Sequence, residues 1–212
     1  MGKEFLTVFD EWSTSYDETV HGENNEYSEY FYKYDEILTL VADHAFGNIL
    51  EFGVGTGNLT LKLIERKLQV IGVDPSKAMR DIAKDKIPDI QVLDGDFDSY
   101  PDVKDIDCIV SSFAFHHLNN KDKSISASKF FNTLNTSGKI LFADVVFENL
   151  ESYELAVEEA MEKGHYNVHR DLTQEYYSTI PELEEIFASN GFKVEFTKCN
   201  RYVWLMEAQK LT

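Results

Sequence analysis

Basic residues are scarce in this chain. Its 212 residues carry 20 lysines and arginines against 38 aspartates and glutamates, a formal net charge of −18, and no basic cluster interrupts the excess. A surface that neutralises a nucleic-acid backbone needs the opposite balance. No nucleic-acid partner is therefore expected, and a small neutral or cationic substrate is favoured over an anionic polymer. Cysteine is nearly missing too: Cys108 and Cys199 stand far apart in apolar stretches, which excludes a disulfide framework or a cysteine-rich metal site and fits a reducing compartment. No run of 18 or more apolar residues occurs. The opening Met1-Gly-Lys-Glu-Phe-Leu-Thr7 has neither a signal-peptide core nor a hydroxyl residue placed for myristoylation. The expectation is a soluble, cytoplasmic protein with no membrane partner. Repeats, linkers and low-complexity segments are also lacking, and the length suits a single α/β domain.

What is present centres on Asn48-Ile-Leu-Glu51-Phe-Gly53-Val-Gly55-Thr-Gly57-Asn-Leu-Thr60. An apolar strand runs into three alternate glycines and then into an amphipathic helix. Such glycines let the chain turn sharply at a strand's carboxyl end and remove the Cβ atoms that would keep a ligand off the helix N-terminus. A dinucleotide fingerprint would place its third glycine at position 58, which is Asn58, so the spacing is E-x-G-x-G-x-G instead. Glu51 would repel a pyrophosphate and suits a ligand carrying an ammonium and a sulfonium.

Five short, continuous apolar runs alternate with helical stretches: Ile49 to Val54, Val70 to Val73, Ile90 to Leu93, Cys108 to Ser112 and Ile140 to Val146. This is the pattern of a parallel sheet covered on both faces. Helices are expected at about Leu59 to Lys67, Lys77 to Asp85 and Ser124 to Leu134, with Tyr34 to Ala45 leading into the first strand. A polar helix from about Glu151 to Lys163 breaks the alternation. Thr179-Ile-Pro-Glu182 reads as a capping box, and two last strands, Lys193 to Thr197 and Tyr202 to Ala208, form a terminal hairpin. The fold class is thus α/β, a doubly wound Rossmann-like seven-stranded sheet with an antiparallel C-terminal hairpin. Its parts are a helical N-terminal lid (1–46), a cofactor-binding core (47–148), a lid insertion after the fifth strand (149–177), and a final helix and hairpin (178–212).

The glycine pattern resembles motif I of the class I S-adenosylmethionine (SAM) methyltransferases, a likeness that covers about Asn48 to His117. More narrowly, the chain is similar over nearly its whole length to the YrrT-type family of small bacterial methyltransferases. The matching residues are Phe9-Asp-Glu-Trp12, Tyr16-Asp17, Leu50 to Gly53, Gly57 to Thr60, Asp94-Gly-Asp-Phe97, Val110 to Ser112, Phe115 to Leu118 and Val203 to Ala208. The resemblance implies SAM as cofactor, held by Glu51, Gly53, Gly55, Gly57 and Ser111. Asp74, 21 residues beyond Gly53, is placed to accept from ribose hydroxyls. By the same likeness Asp96 accepts from the adenine amino group and Phe97 lies beside the ring, although Asp94-Gly-Asp-Phe97 would also make a plain turn.

The reaction implied is in-line methyl transfer to a small molecule. Alignment and exclusion of water are the main demands, and a base helps a neutral oxygen or nitrogen acceptor. His116 and His117, at the end of the fourth strand, are the catalytic candidates, with Asp144 also in reach. No metal is expected, because adjacent histidines at a strand-to-helix junction should point apart and lack further ligands. The substrate pocket is expected beneath the lids, from Trp12, Tyr16, Tyr30, Asp144 and Tyr166. A homodimer is compatible with this reading. The rivals are a SAM-binding protein without catalysis and a nicotinamide-dependent oxidoreductase, the second opposed by the glycine spacing and the terminal hairpin.

Overall fold

A computed structural model describes residues 16–22 and 26–212. Helix α1, Tyr16–His21, and helix α2, Tyr34–His44, precede strand β1, Asn48–Phe52. Gly47 turns the chain into β1 with a φ of 68°. There follow α3 (Asn58–Glu65), β2 (Gln69–Asp74), α4 (Lys77–Lys86), β3 (Gln91–Asp94), β4 (Ile106–Ser112), a single 3₁₀ turn at Phe115–His117, α5 (Asn120–Thr133) and β5 (Leu134–Phe147). The chain ends with α6 (Leu150–Glu162), α7 (Tyr166–Gln174), the two-residue β6 (Ser178–Thr179), α8 (Ile180–Ser189), β7 (Phe192–Lys198) and β8 (Val203–Lys210).

The strands lie in the order β3-β2-β1-β4-β5-β8-β7, with β6 paired to β5 off that path. β1 to β5 run parallel, and β7 and β8 run antiparallel. This is the doubly wound Rossmann-like sheet with its terminal hairpin, seven strands long, plus the short β6 that sequence patterning did not suggest. Strand order reverses between β1 and β4, where Phe52 stands opposite Ser111. In such sheets a ligand crevice opens outside the strand ends at that switch.

Local chemistry sets the element ends. Ser76 accepts from Met79 N at 3.2 Å to start α4, and Asn149 and Ser152 cap α6 reciprocally. Glu182 accepts from the amide and the hydroxyl of Thr179 at 2.8 and 2.9 Å, opening α8. α5 begins four residues before the expected Ser124, because Asn119 accepts from Asp122 N at 3.0 Å and caps a polar turn that hydrophobic periodicity cannot reveal. Two further departures matter for the site. Residues 26–30 form turns instead of a helix, and α7 is a helix where no regular element was assigned.

Each face of the sheet carries its own core. One is packed by α5 and α8 around Phe52, Phe97, Phe115, Phe130, Phe142, Phe187 and Phe192. The other is packed by α1, α2, α3, α6 and α7, with Tyr30, Tyr34 and Tyr202 among its buried residues. Cys108 is fully buried in β4, and Cys199 sits between β7 and β8; both are free thiols. Among the described residues no helix is long and apolar enough to cross a membrane.

Candidate active site

The glycine loop leaves β1 at the switch point. Gly53, Gly55 and Gly57 adopt φ of 67°, 56° and 88°, a left-handed region that side chains rarely enter. At Gly53 the need is also steric, since an added Cβ would stand 2.7 Å from Ala114 Cβ. Gly55 faces open space apart from Gly53 O at 4.0 Å, so the loop presents bare backbone there. Gly57 then caps α3 without a side-chain bond. Asp17 on α1 crosses this junction. It accepts from Thr56 Oγ1 at 2.7 Å, Asn58 Nδ2 at 3.0 Å and Lys86 Nζ at 2.9 Å, fastening the N-terminal segment over the loop.

The structure surrounds this loop with the residues expected there, in varied roles. Asp74 is 4% exposed; its carboxylate accepts from Gly55 N at 2.8 Å and Ser76 N at 2.9 Å, so it shapes the loop from the end of β2. Ser111 Oγ is buried beside Gly53 and makes no hydrogen bond among the described residues. A buried hydroxyl without a partner is costly unless a ligand supplies one. Glu51 is 1% exposed and accepts from Thr60 Oγ1 at 2.6 Å, which ties β1 to α3. Burial pushes its carboxyl up to about 8, so it stands mostly as the neutral acid at pH 7.

Beyond β3, Phe97 needs correction and Asp96 takes a structural part as well. Asp96 turns one carboxylate oxygen onto the amides of Asp98 and Ser99, at 2.9 and 2.8 Å, and so closes the local turn. Phe97 is 1% exposed and stacks on Phe52 with ring centroids 5.0 Å apart. Its ring belongs to the phenylalanine core and offers no face to a ligand, because the apolar surface under the sheet captures it.

At the same end of the sheet, past β4, lies a partly enclosed cavity of about 110 Å³, whose walls include Tyr16, Tyr27, Tyr30, Phe31, Phe113, His116, His117, Glu175 and Tyr177. Tyr16 and Tyr30 thus fall where expected. Trp12 lies outside the described residues. Tyr166 is corrected: it is 67% exposed and lines no part of the cavity, because α7 turns Val168 and Leu172 inward instead. Asp144 is corrected as well. It sits behind His116, at the end of β5, and is absent from the cavity wall. Phe113 holds φ 51° at the end of β4. A left-handed non-glycine residue costs about 1–3 kcal/mol and persists where surrounding structure imposes it.

The histidines do not diverge. Their rings lie 4.1 Å apart, and both face Glu175, with His116 Nε2 3.4 Å from Oε2 and His117 Nδ1 3.6 Å from Oε1. Asp144 grips His116 from behind, Oδ1 to Nδ1 at 2.5 Å and Oδ2 accepting from His116 N at 3.0 Å. Burial opposes the charged form of His116, yet Asp144 and then Glu175 outweigh it and raise its pKa. Burial, followed by the neighbouring His116, holds His117 well below its ordinary value. Burial likewise raises the Glu175 carboxyl. Glu175, Tyr27 and Tyr177 were missed by sequence reasoning, since a lone acid after a polar helix carries no signal of its own. The adjoining tyrosine pair, Tyr176-Tyr177, was the nearest hint.

A parallel switch-point crevice, a glycine loop of this spacing and an unpartnered buried hydroxyl beside it define a Rossmann-like, nucleoside-cofactor-dependent protein. Residues 49–138 match the family model described as a methyltransferase domain. An uncharacterized methyltransferase of Bacillus cereus is 47% identical over 211 residues, covering 99% of this chain and 100% of the relative. The chain therefore belongs to this methyltransferase family, whose methyl donor is SAM. A Thermotoga maritima SAM-dependent methyltransferase, described as a possible histamine N-methyltransferase, shares the fold at TM-score 0.71 and 18% identity, over 97% of this chain and 99% of that one. Human N-acetylserotonin methyltransferase in complex with SAM aligns at TM-score 0.69 and 16% identity, over 100% of this chain and 60% of that one.

Proposed function

We propose that the chain transfers a methyl group from SAM to a small molecule held in the aromatic cavity, with His116 and His117 at the reacting wall. The observation that carries this reading is placement: the cavity borders Phe113, two residues beyond Ser111, at the same sheet end as the glycine loop. Gly53, Gly55 and Gly57 offer backbone to the cofactor, Ser111 its unpartnered hydroxyl, and Asp74 and Asp96 the carboxylates for ribose and adenine. Glu51 meets the amino-acid end, where a cationic neighbour draws its carboxyl toward the ionised form. When bound, SAM supplies a methyl group on a sulfonium that is already a good leaving group. The protein's share is to align the acceptor and exclude water, which is worth about 7–11 kcal/mol. Tyr16 and Tyr30 from the N-terminal segment, and Tyr177 beyond α7, roof the cavity for that purpose, so 1–46 and 149–177 act as lids on the core. The narrower YrrT-type resemblance is part of this proposal, as is a cytoplasmic reaction that involves neither nucleic acid nor membrane.

Calorimetry with SAM, followed by incubation of labelled SAM with a metabolite panel, tests the reading. Histamine and N-acetylserotonin belong in the panel because proteins of similar fold carry those names. Binding with a labelled product supports transfer, whereas binding with none across the panel favours the non-catalytic alternative. Gly53→Val should abolish SAM binding, since its side chain would meet Ala114; unchanged affinity would refute the site.

A further inference from the structure

The reacting wall has the makings of a metal centre. Among the described residues, one donor atom each from His116, His117 and Glu175 lie within 4.8 Å of one another. Two donors about 2.1 Å from a tetrahedral ion are about 3.4 Å apart. The two histidine–glutamate separations, 3.4 Å from His116 to Glu175 Oε2 and 3.6 Å from His117 to Glu175 Oε1, are near that length, one to each oxygen of the carboxylate. Both are long for a hydrogen bond, and the histidine–histidine edge is no longer than 4.8 Å.

The support behind these donors is of the kind metal ligands need. Asp144 holds His116 Nδ1 at 2.5 Å and so turns Nε2 toward Glu175. The Tyr177 hydroxyl donates to Glu175 Oε2 at 2.7 Å, and its ring stacks on His116 with centroids 4.7 Å apart. Charge agrees as well. Asp144 and Glu175 face two imidazoles, and among the described residues the buried cation nearby is Lys123, bonded to Tyr176 O and Ser178 Oγ, both at 2.5 Å. With neutral imidazoles the ligand set of His116, His117 and Glu175 carries one net negative charge, which a divalent ion and one anionic acceptor atom bring to zero. Three protein donors with a cavity on the remaining side match catalytic zinc sites, which keep a position open, and not closed structural ones.

We propose that His116, His117 and Glu175 bind a divalent transition-metal ion of the zinc type, whose open position faces the acceptor. The ion holds an acceptor oxygen, nitrogen or sulfur and lowers its pKa. The acceptor's proton then goes to solvent, and the acceptor atom bonds to the methyl carbon as the carbon–sulfur bond breaks. The proposal rests on the acceptor cavity described above. Its test is independent of turnover.

The full chain, stripped with chelator, is titrated with Co²⁺, read by visible absorption, and with Zn²⁺, read by competition with a chromophoric chelator. One ion per chain is expected. His117→Asn and Glu175→Gln should each weaken binding by at least about 100-fold, and Asp144→Asn, acting through His116, by about 10- to 100-fold. The double variant H165N/H169N, which alters two histidines away from the cavity, should bind as the parent does. Failure of the parent chain to retain either ion overturns the proposal, as does retention undiminished in both H117N and E175Q. SAM calorimetry on the stripped protein and each variant reports folding and the cofactor site separately, so a lost metal site is distinguishable from a wrong methyltransferase reading.

Discussion

The two faces of the sheet are filled by aromatics of different chemistry. Against α5 and α8 the buried rings are phenylalanines, seven of them in one contiguous cluster. The opposite face sets tyrosines beside Phe31, Phe113 and Phe147, and several of their hydroxyls claim a partner: Tyr27 donates to Asp171, Tyr153 to Leu172 O and Tyr177 to Glu175. A phenol packs nearly as well as a phenyl ring but keeps a polar handle. The phenylalanine face can therefore close completely, while the tyrosine face surrounds a cavity without stranding polar groups. The fully packed rings on the side that stabilises the sheet carry no polar handle, whereas several of those around the cavity do.

Breaking the closed face should produce the largest effect. Phe187 has no exposure, and Phe187→Ala should lower stability by about 3–5 kcal/mol, read as a fall in the urea midpoint. SAM affinity of the protein that remains folded should hold. A smaller fall, equal to that of an exposed position, would mean the face is not a single packed unit.

Next comes the buried acid on the tyrosine side. The native Glu51 carboxyl titrates near 8, against 4.5 for an ordinary glutamate. Below 4.5 both folded and unfolded chains hold the proton and the folded state keeps its full stability. As pH rises toward 8 the unfolded chain releases a proton that the native state retains, so stability falls by about a few kcal/mol and then levels off. Glu51→Gln should remove that decline while keeping the Thr60 contact, measured as urea midpoints across the same range. An unaltered slope in the variant would show that other groups cause it.

Tyr177→Phe converts one ring of the cavity face to the chemistry of the other. It removes the bond to Glu175 and should cost about 1 kcal/mol of stability, with a greater proportional loss of methyl transfer once an acceptor is in hand. Equal losses would argue that the hydroxyl only packs. Smallest of all, Tyr166→Ala at an exposed site should shift stability by no more than about 0.5 kcal/mol, and a drop in methyl transfer there would restore Tyr166 to the pocket.

Much of the fold was readable in sequence. The succession of β1 to β5 follows from continuous apolar runs, and Gly53, Gly55 and Gly57 announce the loop because a residue without Cβ adopts those angles at no steric cost. Thr179 and Glu182 announce α8 by their own side chains. The short β6 and the helix α7 were not readable. β6 has two residues and pairs only because β5 extends past the sheet's edge toward it, and α7 shows just two buried residues, Val168 and Leu172. Phe97 misled for a related reason: a ring following an Asp-Gly turn can face a ligand or the core, and the row of phenylalanines beneath the sheet decided for the core.

The sequence alone determined the alternation of strands and helices and the glycine loop, because those depend on backbone angles and on neighbours a few residues away. Tertiary structure alone decided that His116, His117 and Glu175 would converge, that Asp144 would stand behind the first of them, and that Tyr166 would face solvent. Periodicity tells which side of an element is apolar. It carries no information about what stands opposite, and the chemistry of this cavity is made entirely of groups that stand opposite one another.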